Sequence, residues 1–258
     1  MLIDSHAHLE MKEFDSDREA VIKRAREAGV DFIVTVGTNL ALSRKAVALA
    51  QGHENIYATI GIHPHDAAKA DKKTCESLKE LAQRQKIVAY GEIGLDFFRN
   101  ISSREKQIEV FGLQLELAEE LNLPVIIHDR EAHEQTLKIV KASSVRQGVF
   151  HCFSGDYVMA KQCIDLGFYI SIPGVVTFDK AKTIQDVAQR VPLSSLLLET
   201  DAPYLTPVPY RGKRNEPSFI IHTAGKVAEI KKVSLEEVAQ MTSGNAINLF
   251  GIKASCGN

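Results

Sequence analysis

Leu2-Ile3-Asp4-Ser5-His6-Ala7-His8 opens the chain as a short apolar run that ends in two histidines. The pattern returns along the chain: Glu92 stands in the apolar run 87–93, His128 follows 125–127, His151 ends 149–151, and Asp201 comes just after 196–198. Polar groups so far apart in sequence converge only where the ends of many strands meet. The carboxyl face of a parallel β/α barrel is such a place.

Further runs at 32–36, 56–62 and 169–172 bring the count to eight, one for each strand of such a barrel. Their near-continuous hydrophobicity belongs to parallel strands covered by helices. Between them, Ser16 with Glu19, Ser102 with Glu105 and Ser234 with Glu237 have capping-box spacing, so each is expected to open a helix. Ile108, Phe111, Leu115 and Ala118 recur at three- and four-residue steps and predict an outer helix with one apolar stripe. The chain is therefore read as α/β, a single (β/α)8 TIM barrel over residues 1–258 with a frayed tail at 253–258. Its 258 residues match the length of about 250 typical of that fold.

Hydrophobic residues at 45% and charged residues at 25% supply a large core and exclude a disordered chain. Lys and Arg number 31 against 33 Asp and Glu, a net charge of -2, which excludes a general nucleic-acid binder with a basic excess. A polyanion would have to be gripped locally. Arg211, Lys213 and Arg214 are the candidates, in the proline-rich stretch 202–217 after the last strand, with Gly212 allowing close backbone approach. No stretch reaches the roughly 18 apolar residues of a membrane span, and residues 1–6 lack a basic or apolar leader pattern. Cys75, Cys152, Cys163 and Cys256 have no C-x-x-C spacing. The expectation is a cytoplasmic protein with reduced thiols and no membrane partner. Cys152 is expected on the strand face opposite His151, as a buried structural thiol.

His6 and His8, two apart on a strand, point to the same side and can grip one cation. In a structural role Glu92, His128, His151 and Asp201 would each have to be buried and satisfied at a cost. A carboxylate among four imidazoles points to more than one metal, because two divalent ions about 3.5 to 4 Å apart need a bridging anion. Glu92 is the candidate bridge; one zinc held by His6, His8 and Asp201 is the open alternative. Neither a Ser-His-Asp nor a reactive-cysteine arrangement competes, and no glycine-rich loop calls for an organic cofactor.

Six motifs occur together: Asp4-Ser5-His6-Ala7-His8-Leu9, Gly61-Ile62-His63-Pro64-His65, Gly91-Glu92-Ile93-Gly94-Leu95-Asp96, Pro124-Val125-Ile126-Ile127-His128, His151-Cys152-Phe153-Ser154-Gly155 and Glu199-Thr200-Asp201-Ala202-Pro203-Tyr204. In order and spacing the chain resembles the TatD family of metal-dependent deoxyribonucleases, within the amidohydrolase-like barrels, over nearly its whole length. The resemblance implies that His6, His8 and Asp201 serve one ion, His128 and His151 a second, and that Glu92 bridges them. It also implies substrate or catalytic contacts at His63 and His65, and a loop like Arg211-Gly212-Lys213-Arg214 after the last strand. Tyr210, where similar loops commonly have histidine, and Phe97-Phe98, where tyrosine is common, depart from the pattern and bear on substrate contacts alone.

The expected chemistry is attack of a metal-activated water on phosphorus, with two divalent ions (magnesium, manganese or zinc), Asp201 as base, and Glu92 and His63 beside it. The expected substrate is nucleic acid, DNA ahead of RNA, cut exonucleolytically at single-stranded ends. The same water could instead attack a carbonyl, as in an aminoacyl-tRNA deacylase, and a degenerate site would leave a non-catalytic binding module.

Overall fold

The computed structural model describes residues 1–253. Eight strands pair in parallel and in chain order: β1 (Leu2–Ala7), β2 (Val30–Val36), β3 (Ile56–Ile60), β4 (Ile87–Asp96), β5 (Val125–Arg130), β6 (Gly148–Phe150), β7 (Phe168–Ile172) and β8 (Leu196–Leu198). Every apolar run of the sequence lies on a strand. β3 and β6 end earlier than their runs, which leaves His63 and His151 on the connections that follow. The helices are α1 (Arg18–Glu27), α2 (Leu40–Gly52), α3 (Lys72–Leu81), α4 (Arg104–Glu120), α5 (His133–Ala142), α6 (Tyr157–Asp165), α7 (Lys182–Arg190), α8 (Ile220–Lys231) and α9 (Leu235–Phe250). No helix among the described residues is long and apolar enough to cross a membrane. Of the tail at 253–258, residues 254–258 lie outside the described part; Lys253 is exposed.

The seam between β8 and β1 is closed by an isolated parallel bridge, Ala7 to Ala202. Around it the Asp201 amide donates to the His6 carbonyl (2.9 Å) and the His8 amide to the Ala202 carbonyl (2.7 Å). Asp4 accepts from the Thr200 amide at 2.9 Å, and the Ser5 hydroxyl donates to the Leu198 carbonyl at 2.9 Å. The ligand-bearing ends of the first and last strands are therefore fastened to each other.

Inside the sheet an apolar cluster of Ile3, Val34, Ala89, Ile126, Val149 and Leu197 is closed from below by Ala246, Leu249 and Phe250 of α9. Asn245 ties α9 to the start of β8 by donating to the Leu193 and Leu196 carbonyls, both at 2.8 Å. The amino end of the barrel is thus plugged, and the carboxyl end is its mouth.

Two strands break the alternation of faces. Residues four apart on a regular strand share a face, yet Ile3 belongs to the inner cluster and Ala7 to the outer one, and Ala89 and Ile93 divide the same way. Each pair straddles a register shift, between Asp4 and Ala7 in β1 and between Tyr90 and Ile93 in β4. A bulge adds one residue and re-aims the side chains beyond it. Without it His6 would share the outward face of Leu2, and Glu92 that of Tyr90. Glycines allow β4 to lie this close to β5: a Cβ on Gly91 would stand 2.7 Å from Ile126, and one on Gly94, at φ +142°, would overlap the His128 carbonyl.

Helix starts follow the sequence in part. Ser234 caps α9 through the Glu237 amide (3.0 Å). The α1 cap position is Asp17, not Ser16, and the α4 cap is Ser103, not Ser102. A tertiary partner takes Ser102: its hydroxyl donates to the His65 carbonyl and accepts from the Ala68 amide. The stripe on α4 is also less apolar than its periodicity predicts. Ile108 is half-buried, while Gln107 and Gln114 are buried. Gln114 bonds both the amide (2.7 Å) and the carbonyl (2.9 Å) of Ile62, and Gln107 does the same for Asp96, at 2.8 and 3.2 Å. α4 thereby holds the backbone next to His63 and at the end of β4.

Candidate metal centre

The bulge in β1 turns both histidines to the axis, and His6 Nε2 and His8 Nε2 lie 3.2 Å apart. Glu92 Oε2 stands 3.5 and 3.7 Å from them, and Asp201 Oδ1 3.7 and 3.4 Å. Four donors about 2.0 to 2.1 Å from one ion in a tetrahedron would be about 3.3 to 3.4 Å apart, so these residues fit a divalent cation. The other carboxylate oxygen, Glu92 Oε1, faces His128 Nδ1 (2.7 Å), His151 Nε2 (2.8 Å) and His63 Nε2 (3.3 Å). His128 Nδ1 and His151 Nε2 are themselves 3.2 Å apart. All six ligand candidates from the sequence come together, with Glu92 between two donor sets and one oxygen toward each. His6, His8, Glu92 and His151 are nearly enclosed, while Asp201, His63 and His128, with side chains 13%, 11% and 16% exposed, form the open edge.

A family model described as TatD related DNase matches residues 3–251. The chain belongs to the TatD family. It is 43% identical over 254 residues to the uncharacterized metal-dependent hydrolase YabD of Bacillus subtilis, covering 98% of this chain and all of that one. It is 39% identical over 259 residues to the 3'-5' ssDNA/RNA exonuclease TatD of Erwinia amylovora, covering 97% of this chain and all of that one. The crystal structure of YJJV, a TatD homolog from Escherichia coli, superposes with a TM-score of 0.93 at 34% identity over 98% of both chains. An organophosphorus hydrolase from Deinococcus radiodurans, at 13% identity and TM-score 0.67, shares the fold. The protein is thus a TatD-family metal-dependent hydrolase on a (β/α)8 barrel.

The charges of this TatD centre are strongly coupled. Burial alone would raise Glu92, but the His151 and His63 charges and hydrogen bonds from His128 and His151 outweigh it and hold the carboxyl well below its usual range. Asp201 is likewise pushed up by burial but held below its ordinary value by His8 and His6. Burial disfavours charge on every buried imidazole: it prevails at His6, and it takes His63 down to about 4. At His8, His128 and His151 neighbouring carboxylates overcome burial and raise the ring.

Behind the donors lie three buried carboxylates that the sequence reading did not select. Glu10 Oε1 is 3.5 Å from His8 Nδ1, Asp96 Oδ2 is 2.7 Å from His65 Nε2 and 3.5 Å from His128 Nε2, and Glu199 Oε1 is 3.7 Å from His151 Nδ1. His6, His151 and Glu199 also offer ligand-type atoms within 4.8 Å of one another. Glu10 and Glu199 sit two residues from His8 and Asp201, and that i, i+2 spacing was the available signal. Such carboxylates orient a metal-binding ring, and their loss typically weakens metal affinity about 10- to 100-fold. Glu199→Gln is expected to show a loss of that size in metal titration with the fold retained; an unchanged affinity would deny Glu199 the orienting role.

One of the three cations in the basic loop is ion-paired. Arg214 donates to both carboxylate oxygens of Asp17 (2.8 and 2.7 Å) and lies over Phe14. This bidentate pair fastens the loop to the start of α1 while the Arg214 side chain stays 32% exposed. Arg211 and Lys213 stay exposed, stacked over Phe178 and Tyr210. Tyr210 itself packs on Phe219, with ring centroids 4.4 Å apart. His65 is half-buried beside His63, its Nε2 2.7 Å from Asp96 Oδ2. Cys152 is not on the far face of a strand: β6 has ended, and the residue turns at φ +44°. Its amide donates to Glu199 Oε1, which places it beside the centre, and burial, then Asp201, Glu199 and Glu92, push its thiol well up.

Proposed function

We propose that the centre takes two divalent ions and hydrolyses phosphodiester bonds at the ends of single-stranded nucleic acid, DNA foremost. The observation that carries the two-ion reading is Glu92, whose two oxygens each face a separate set of imidazoles. His6, His8 and Asp201 would hold one ion, His128 and His151 the other, and Glu92 both. Imidazole with carboxylate suits zinc and manganese, and the carboxylates suit magnesium. When bound, such a pair acidifies a water and offsets charge on the attacking and leaving oxygens.

Asp201 turns Oδ1 to His6 and His8, which leaves Oδ2 on the open edge to accept the proton of the attacking water. His63 Nδ1 accepts from the His65 amide at 3.1 Å, so the proton of its neutral ring sits on Nε2. That N–H faces Glu92 Oε1 at 3.3 Å; with Glu92 committed to metal it would be available to donate to a phosphoryl oxygen. The plugged, recessed barrel favours a flexible strand over a stiff duplex, and the named exonuclease relatives favour phosphorus over a carbonyl carbon as the target.

The test is digestion of 5'- and 3'-labelled single strands with added manganese or magnesium. Stepwise shortening from one end, abolished by chelator and restored by metal, is expected. Undiminished hydrolysis by protein shown to be metal-free, or rapid nicking of a covalently closed duplex circle, would overturn the reading.

A further inference from the structure

The connection from β4 to α4 and the end of β5 meet at the rim of the mouth, beside the second donor set. Phe98 lies two residues beyond Asp96 and is 59% exposed; Ile101 on the same connection is 65% exposed. Arg130, the last residue of β5, lies two residues beyond His128, so its side chain leaves the strand on the face of that ligand. The Phe97 amide donates to the Arg130 carbonyl at 2.9 Å, which fixes the two segments to each other. The Arg130 guanidinium carbon stands 4.2 Å from the Phe98 ring centroid. Arg18, Arg24 and Arg214 each pair with a carboxylate, whereas among the described residues Arg130 has none within ion-pair distance. One face of the Phe98 ring is thus covered by an unneutralised cation, and its 59% exposure leaves the other open.

We propose that Phe98 and Arg130 form a nucleotide subsite: a base next to the scissile bond stacks on the open face of Phe98, and Arg130 donates to a neighbouring phosphate oxygen. This rests on the exonuclease reading. Every base has a π face, so such a platform tolerates any sequence while requiring an unpaired base. It also supplies a local cation that the net charge of -2 does not provide.

The test compares a single-stranded oligonucleotide with the same strand carrying abasic residues next to its cleaved end, using the metal-loaded protein. The wild type should prefer the intact strand in kcat/KM. Base stacking is worth enough that Phe98→Ala should shrink that preference about 5- to 150-fold, while Phe98→Trp keeps it. Arg130→Ala should reduce the salt dependence of KM by about 0.7 in logarithmic slope, the value of one single-strand phosphate contact. Metal content measured in each variant should match the wild type. If the wild type cleaves oligonucleotides but shows no preference for bases, or if Phe98→Ala keeps it in full, the subsite is overturned alone. If the wild type cleaves no oligonucleotide, the exonuclease reading falls and the subsite with it.

Discussion

On the two-ion proposal, replacing Glu92 by glutamine is expected to lower the occupancy of both ion positions and to reduce hydrolysis on the order of 10⁴-fold or more, because several kcal/mol of charge stabilisation disappear at once. Glu92 Oε2 faces His6 and His8, and Oε1 faces His63, His128 and His151. The amide keeps the volume of this enclosed side chain but carries no charge to hold two cations close together. His128→Ala should behave differently, since His128 touches the Oε1 side alone: one ion should remain tightly held. Metal titration with elemental analysis of both variants, after circular dichroism has shown them folded, reads the asymmetry. A Glu92→Gln protein that retains one ion at wild-type affinity would show that Glu92 serves a single position.

Asp201→Asn is expected to retain most metal affinity and lose about 10²- to 10⁴-fold in kcat at saturating metal, the usual contribution of a general base. Asparagine keeps an oxygen toward His6 and His8 but cannot take a proton at neutral pH. The residue is held in place independently of its charge: its amide donates to the His6 carbonyl, its carbonyl accepts from the Tyr204 amide at 2.8 Å, and its backbone sits at φ +54°, which Asn tolerates as Asp does. A loss in kcat with KM little changed separates proton transfer from binding. Turnover within a few-fold of wild type would move the base elsewhere.

Much of the site was legible because strand ends announce themselves. His128 lies two residues beyond Ile126 of the inner cluster, and plain alternation carries its side chain to the axis. His151, two beyond Val149, has the same parity, whereas Asp201 lies past the end of β8 at φ +54°, where alternation no longer applies. The helix termini were less legible: Ser102 has capping-box spacing and bonds the chain at His65 and Ala68 instead, because a local cap competes with a tertiary partner that spacing does not register. The basic loop was only partly legible for a related reason. A run of cations shows charge but not its counter-charge, and Asp17, nearly two hundred positions away in sequence, claims Arg214.

The amino-acid sequence by itself determined the barrel and which six polar residues would meet at its mouth, since hydrophobic period and residue type are local properties that survive without coordinates. What the tertiary structure alone decided is how His6 and Glu92 face inward. Strict alternation would turn both outward, with Leu2 and Tyr90. One extra residue in β1 and one in β4 reverse this, and whether a residue is extra depends on the partner strand's register, which exists only once β1 lies against β2 and β4 against β5.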